Sequence, residues 1–139
     1  MIPMRRLPVL LLLAACTGPQ DAPASQGAAL PPGTGQEVTL AIGETRQLPG
    51  GAWLALTAVP GDSRCPRDVV CVWAGSVAAT LRLGVGPDDT VATINTMLAP
   101  MAFAFRGWRV ALRDASPQPV AGVPIPAESY RVTVLVGRE

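Results

Sequence analysis

The sequence predicts an all-β domain: an antiparallel β-sandwich or small barrel of seven or eight short strands with one disulfide. Three observations carry this expectation. From Glu37 onward apolar residues recur with a period of two rather than that of a helix. Glycine, proline and aspartate punctuate those runs at short intervals, as turns between strands do. Cys65 and Cys71 form an even pair once Cys16 is given another role.

The chain opens with a segment of a different kind. Arg5 and Arg6 form a positive n-region, and Leu7 to Leu13 form an apolar stretch too short to span a bilayer. Leu13-Ala14-Ala15-Cys16 then reads as a lipobox, so residues 1–15 are expected to be a bacterial lipoprotein signal peptide. Cys16 becomes the lipidated first residue, and the membrane is the first expected partner, reached through that lipid. Residues 16–36 are rich in Ala, Pro, Gly, Ser and Gln, without apolar periodicity. They read as a disordered tether holding the domain at a mean distance of roughly 25 Å from the membrane. Thr17 is not the aspartate that resembles an inner-membrane retention signal in some diderm bacteria, so the outer membrane, facing the periplasm, is the expected site in such a host.

Residues 37–139 carry the strands. Val38, Leu40 and Ile42 alternate with Glu37, Thr39 and Ala41 up to the break at Gly43-Glu44. Thr45 to Leu48 is a short second strand closed by Pro49-Gly50-Gly51, and Trp53 to Val59 is apolar on both faces, as a central strand is. Val77, Ala79, Leu81, Leu83 and Val85 share one face of the next run, while Ala78, Thr80 and Arg82 take the other. Pro87-Asp88-Asp89 is expected to turn, and Thr90 to Thr96 is a weaker strand. Met101, Phe103 and Phe105 alternate with alanines before Gly107, and Trp108, Val110 and Leu112 alternate with Arg109, Ala111 and Arg113. Pro117, Pro119, Pro124 and Pro126 mark an irregular loop. Tyr130, Val132, Val134 and Val136 close the chain against Arg131, Thr133 and Leu135.

Composition excludes several function classes. The 139 residues contain no histidine, which removes Ser-His-Asp and Cys-His catalysis and any imidazole metal site. Past the signal, nine arginines face ten acids, and no basic excess suits nucleic acid. Phosphate-loop, dinucleotide and nucleophile-elbow motifs are absent. No cofactor is expected. The mature chain of about 124 residues can bury enough surface to fold alone, as a monomer.

The densest motif is Asp62-Ser63-Arg64-Cys65-Pro66-Arg67-Asp68-Val69-Val70-Cys71-Val72-Trp73-Ala74-Gly75. In an exported chain Cys65 and Cys71 are expected as a disulfide, worth about 2.4 kcal/mol by loop-closure entropy. Zinc is the rival, but five intervening residues do not match a knuckle and no histidine assists. The segment reads as a cystine-braced corner. Asp62 or Ser63 caps a turn, Arg64 or Arg67 pairs with Asp62 or Asp68, Trp73 packs over the disulfide, and Gly75 permits a close approach. Met97 and Met101 are soft enough for Cu(I), but at strand spacing they are expected as core filler.

This segment resembles the D-S-R-C-P-x-D-V-x-C-x-W-A-G signature of a family of small, uncharacterised bacterial secreted proteins and lipoproteins. Trp108 to Pro119 and the stretch from Tyr130 also look like that family's later segments. The resemblance implies a consistent fold and brings no activity with it.

Two candidate binding surfaces follow. Arg82, Arg109, Arg113 and Arg131 all fall in the polar phase of their strands. If those strands are neighbours they form a platform for an envelope polyanion, bound through bidentate contacts. Alternatively the stapled loop presents Arg67, Asp68 and Val69 to a protein partner. The leading expectation is therefore a lipid-anchored, non-catalytic cell-envelope protein acting as a binding or interaction module. An inhibitor of an envelope or foreign hydrolase, acting through the stapled loop, is the alternative. A carboxylate-dependent enzyme is the third reading and requires Asp62, Asp68, Asp88, Asp89 or Asp114 to converge in one cleft.

Overall fold

The computed structural model describes Gly35–Glu139. The expected signal peptide, the expected lipidation site Cys16 and the expected tether as far as residue 34 lie outside the described residues. Eight strands follow: β1 (Gly35–Ala41), β2 (Thr45–Gln47), β3 (Ala52–Asp62), β4 (Val77–Val85), β5 (Asp88–Asn95), β6 (Ala102–Phe105), β7 (Trp108–Ser116) and β8 (Arg131–Arg138). The first strand includes Gly35 and Gln36, which the composition had assigned to the tether.

The strands form two antiparallel four-stranded sheets, β1-β8-β7-β6 and β2-β3-β4-β5. Ladder pairing lapses between β1 and β2 and between β5 and β6, so of the two predicted architectures the domain is a sandwich. Almost every strand lies beside its neighbours in sequence; the β1–β8 pair closes the first sheet. The period-two residues meet between the sheets. Val38 and Leu40, Leu54 and Leu56, Val77 through Leu83 on alternate positions, Ile94, Val110, and Val132 through Val136 on alternate positions make one core.

Local sequence explains the corners. Gly86 and Pro87 alone link β4 to β5, with Gly86 at φ 62°, as a two-residue hairpin with its first residue left-handed requires. The expected Pro87-Asp88-Asp89 turn is therefore shorter. Asp88 and Asp89 open β5 and point to opposite faces, one to Arg106 and the other to Arg82. Pro60 lies in β3 beyond the last β2 pairing, where its missing N–H costs no ladder bond to that strand. Beside it the β3–β4 register shifts twice, between Leu56 and Ala58 and between Ala58 and Gly61. Leu135 departs from its outward phase. It is buried against Gly35, where a Cβ would stand 2.9 Å from the Leu135 Cγ.

The register gives the domain two poles. Gly35 pairs with Gly137 and Arg138 with Trp108 at one end. Ala41 pairs with Arg131, and Arg131 with Ser116, at the other. The six steps from Gly35 to Ala41 along β1 separate these ends by about 20 Å.

Candidate functional site

The segment between β3 and β4 sits at the pole of Ser116 and Arg131. Its stem continues the ladder briefly: the Ser63 amide donates to the Ser76 carbonyl at 2.8 Å and the Cys65 amide to the Ala74 carbonyl at 3.0 Å. Gly75 makes this closure possible. At φ 71° it lies so close to Ser63 that a Cβ would overlap the carbonyl oxygen. Beyond the stem, Cys65 and Cys71 form the expected disulfide with their Cα atoms 5.9 Å apart. The sulfurs are thus unavailable as metal ligands.

A nearly buried ion pair fastens this loop to both sheets. Arg64 Nε donates to Asp62 Oδ1 at 2.8 Å and Nη2 donates to Oδ2 at 2.6 Å, with side-chain exposures of 9% and 10%. The remaining guanidinium donors reach across the sandwich, Nη1 to the Ala115 carbonyl and Nη2 to the Pro117 carbonyl at 2.9 Å. Tyr130, just ahead of β8, donates its hydroxyl to Asp62 Oδ2 at 3.0 Å. Among the described residues no buried side-chain nitrogen or oxygen lacks a partner. Burial alone pushes the Asp62 carboxyl up, but the hydrogen bonds from the Arg64 side chain, the Arg64 amide and Tyr130 together outweigh it and hold it below its ordinary value. Burial, with the Asp62 hydrogen bond, raises Tyr130.

A second set of bonds ties the loop to the proline-rich segment after β7. The Arg67 amide donates to the Pro119 carbonyl at 3.0 Å, and Asp68 Oδ1 accepts from the Ala121 amide at 2.9 Å. Asp68 thus brackets the loop to the Ala121 amide while staying exposed, and all three expected display residues, Arg67, Asp68 and Val69, remain at the surface.

The surface that is presented is apolar. Val70 is 102% exposed, Val72 92% and Trp73 82%. The Trp73 ring does not pack over the disulfide; it borders a shallow cleft of about 340 Å³ with Ser63, Gly75, Met97 and Leu98. Met97 and Met101 are exposed rather than core filler, because the Thr96–Met101 connection between β5 and β6 turns at this same pole. Of the nine exposed large apolar residues among those described, Val91 alone lies elsewhere. The other eight, Val69, Val70, Val72, Trp73, Met97, Leu98, Met101 and Val123, all belong to loops at the Ser116–Arg131 pole.

The four strand arginines do not share a face. Arg82 lies in the second sheet, held by Asp89 at 2.6 Å and stacked 5.6 Å from the Trp53 ring centroid. Arg109, Arg113 and Arg131 belong to the first sheet but are spread along it. Arg109 pairs with Gly137 near one pole, Arg113 falls at the register shift in β7, and Arg131 pairs with Ser116 at the other pole. Arg131 also spends donors on the Glu128 and Tyr130 carbonyls. Alternation along one strand does not tell which sheet that strand joins, so the expected platform divides.

The aspartates are equally dispersed. Asp62 serves Arg64, Asp68 serves Ala121, Asp88 and Asp89 serve Arg106 and Arg82, and Asp114 stands exposed on β7. A cleft of about 560 Å³ opens at the opposite pole, bordered by Gly35, Pro49, Trp108 and Arg138, and contains no carboxylate. Its one charged side chain, Arg138, lies over the Trp108 ring at 5.2 Å. Sequence reasoning missed Tyr130 as a partner of Asp62 and missed Val70, Val72, Met97 and Leu98 as surface. The signal available for the latter was two valines alternating with Cys71 in a loop too short to bury them. Comparison with protein-family models, with curated proteins and with solved structures found no match to the chain.

Proposed function

We propose that this chain is a lipid-anchored, non-catalytic protein of the cell envelope that docks a protein partner through its stapled-loop pole. In a diderm host the reading places it at the outer membrane, facing the periplasm. The lipobox at Cys16, the even cysteine pair and the likeness of the cysteine segment to small exported bacterial proteins support the address.

One observation carries the activity: among the described residues, eight of nine exposed large apolar side chains gather on loops at one pole. Leaving a valine or leucine in water forgoes about 1.5–3 kcal/mol of burial, so a chain that keeps several of them together retains a surface for something to cover. The disulfide, the Arg64–Asp62 pair and the Asp68 bracket fix the loop beforehand, which lowers the entropy lost on binding. Division of the arginines between two sheets favours this reading over a polyanion platform.

The test is photo-cross-linking in the native envelope. A cross-linking residue in place of Val72 is expected to give a discrete adduct, whereas one in place of Thr57, exposed on β3, gives none. Equal yields from both positions, or none from Val72, contradict the proposal.

A further inference from the structure

We infer that the loop tip is a preformed plug for a concave, apolar-lined cleft in a folded partner protein, and that it faces away from the anchoring bilayer. This rests on the docking surface just proposed and names its occupant. The first argument is polarity. The chain outside the described residues enters at Gly35, beside Gly137 and Trp108. The tip emerges beyond Ser116 and Arg131, at the far end of a sandwich about 20 Å long along β1. A lipid-tethered N-terminus therefore leaves the tip as the part of the domain farthest from its own point of attachment.

The second argument is charge. Surfaces that settle on anionic bilayers pair apolar residues with an excess of Lys and Arg. Here Asp62 and Asp68 match Arg64 and Arg67, and Asp62 and Arg64 are spent on each other. A neutral apolar tip has nothing to draw it to anionic headgroups, and it suits a desolvated protein pocket.

The third argument is shape. Val70 and Val72 protrude almost completely, and Trp73 adds a large ring with an N–H at its edge. Two valines standing this clear of their neighbours are complementary to a cleft and not to a flat surface. Clefts lined by apolar side chains are where proteins take their ligands, so a filled cleft is a blocked one.

Two measurements on the full chain, as its host matures it, decide the matter. In vesicles of phosphatidylethanolamine and phosphatidylglycerol with brominated acyl chains, the wild-type chain and Trp73→Phe are expected to be quenched equally. Selective quenching of Trp73 overturns the inference by putting the tip in lipid, while leaving a docking surface intact. In native envelopes, the adduct from a cross-linker at Val72 is expected to be a protein whose linked residue lies inside an apolar cleft. Trp73→Ser lowers its yield at least tenfold and Trp73→Phe preserves it. A link to a flat or charged surface, or a yield unchanged by Trp73→Ser, overturns the inference alone. Absence of any adduct from Val70 and Val72 removes the docking reading with it.

Discussion

Arg64 and Asp62 form a side-on ion pair, two residues apart, whose spare donors hold the carbonyls of Ala115, in the opposite sheet, and of Pro117, just past its β7 strand. One guanidinium thus joins the end of β3, the end of β7 and the start of the stapled loop. Arginine suits this place because its planar fork satisfies a carboxylate and two carbonyls at once, which lysine cannot do.

Removing one partner leaves the other nearly buried and unpaired. Arg64→Ala is expected to cost about 3 kcal/mol, and Arg64→Lys to recover less than half of that. Urea denaturation followed by tryptophan fluorescence measures both. A loss below about 0.5 kcal/mol for Arg64→Ala would show that the pair does not fasten the pole.

The same pair sets a pH response. Asp62 is held below its ordinary value in the folded state, so its contribution is complete above the unfolded aspartate pKa of about 4 and is lost as pH falls through the lower folded value. Tyr130 is raised, so its contribution holds below about pH 10 and declines as pH rises through the folded value. Melting temperatures between pH 2 and 6 are expected to fall more steeply for wild type than for Asp62→Asn. Parallel curves would contradict the assignment.

Gly75→Ala is expected to be far worse than Gly43→Ala. Both glycines have positive φ, which alone costs an alanine about 1 kcal/mol. Gly43 has open space around it, whereas a Cβ on Gly75 would run into the Ser63 carbonyl. Stabilities of the two variants differing by less than about 1 kcal/mol would count against the close approach.

Replacing both Cys65 and Cys71 by serine is expected to cost about 2 kcal/mol and to leave the sandwich folded, because the bridge closes a short loop outside the core. Circular dichroism should keep its β signature, while proteolysis within 66–72 should accelerate severalfold. Resistance equal to that of wild type would mean that the other loop bonds suffice.

How much of this was legible follows from what each signal measures. Alternation in Val77–Val85 and in Trp108–Leu112 reports which side chains face a core, and these faces are buried as expected. It does not report which strand pairs with which, so Arg82 fell in the sheet opposite Arg109. The disulfide and the Gly75 contact were legible because both are local. The partnership of Asp62 with Tyr130 spans 68 positions and has no local signature. Exposure of Met97 and Leu98 depended on where the β5–β6 connection turns, a property of the assembled poles. Met97 and Met101 read as core filler for want of that knowledge.

Oxidative footprinting tests the central claim most directly. With hydroxyl radicals, Trp73 and Met97 in the purified chain should oxidise rapidly, and in native envelopes both should be protected at least fivefold while Val91, exposed on β5, labels equally in the two settings. Equal labelling of Trp73 and Met97 in both settings would mean that nothing covers the apolar pole where the protein works.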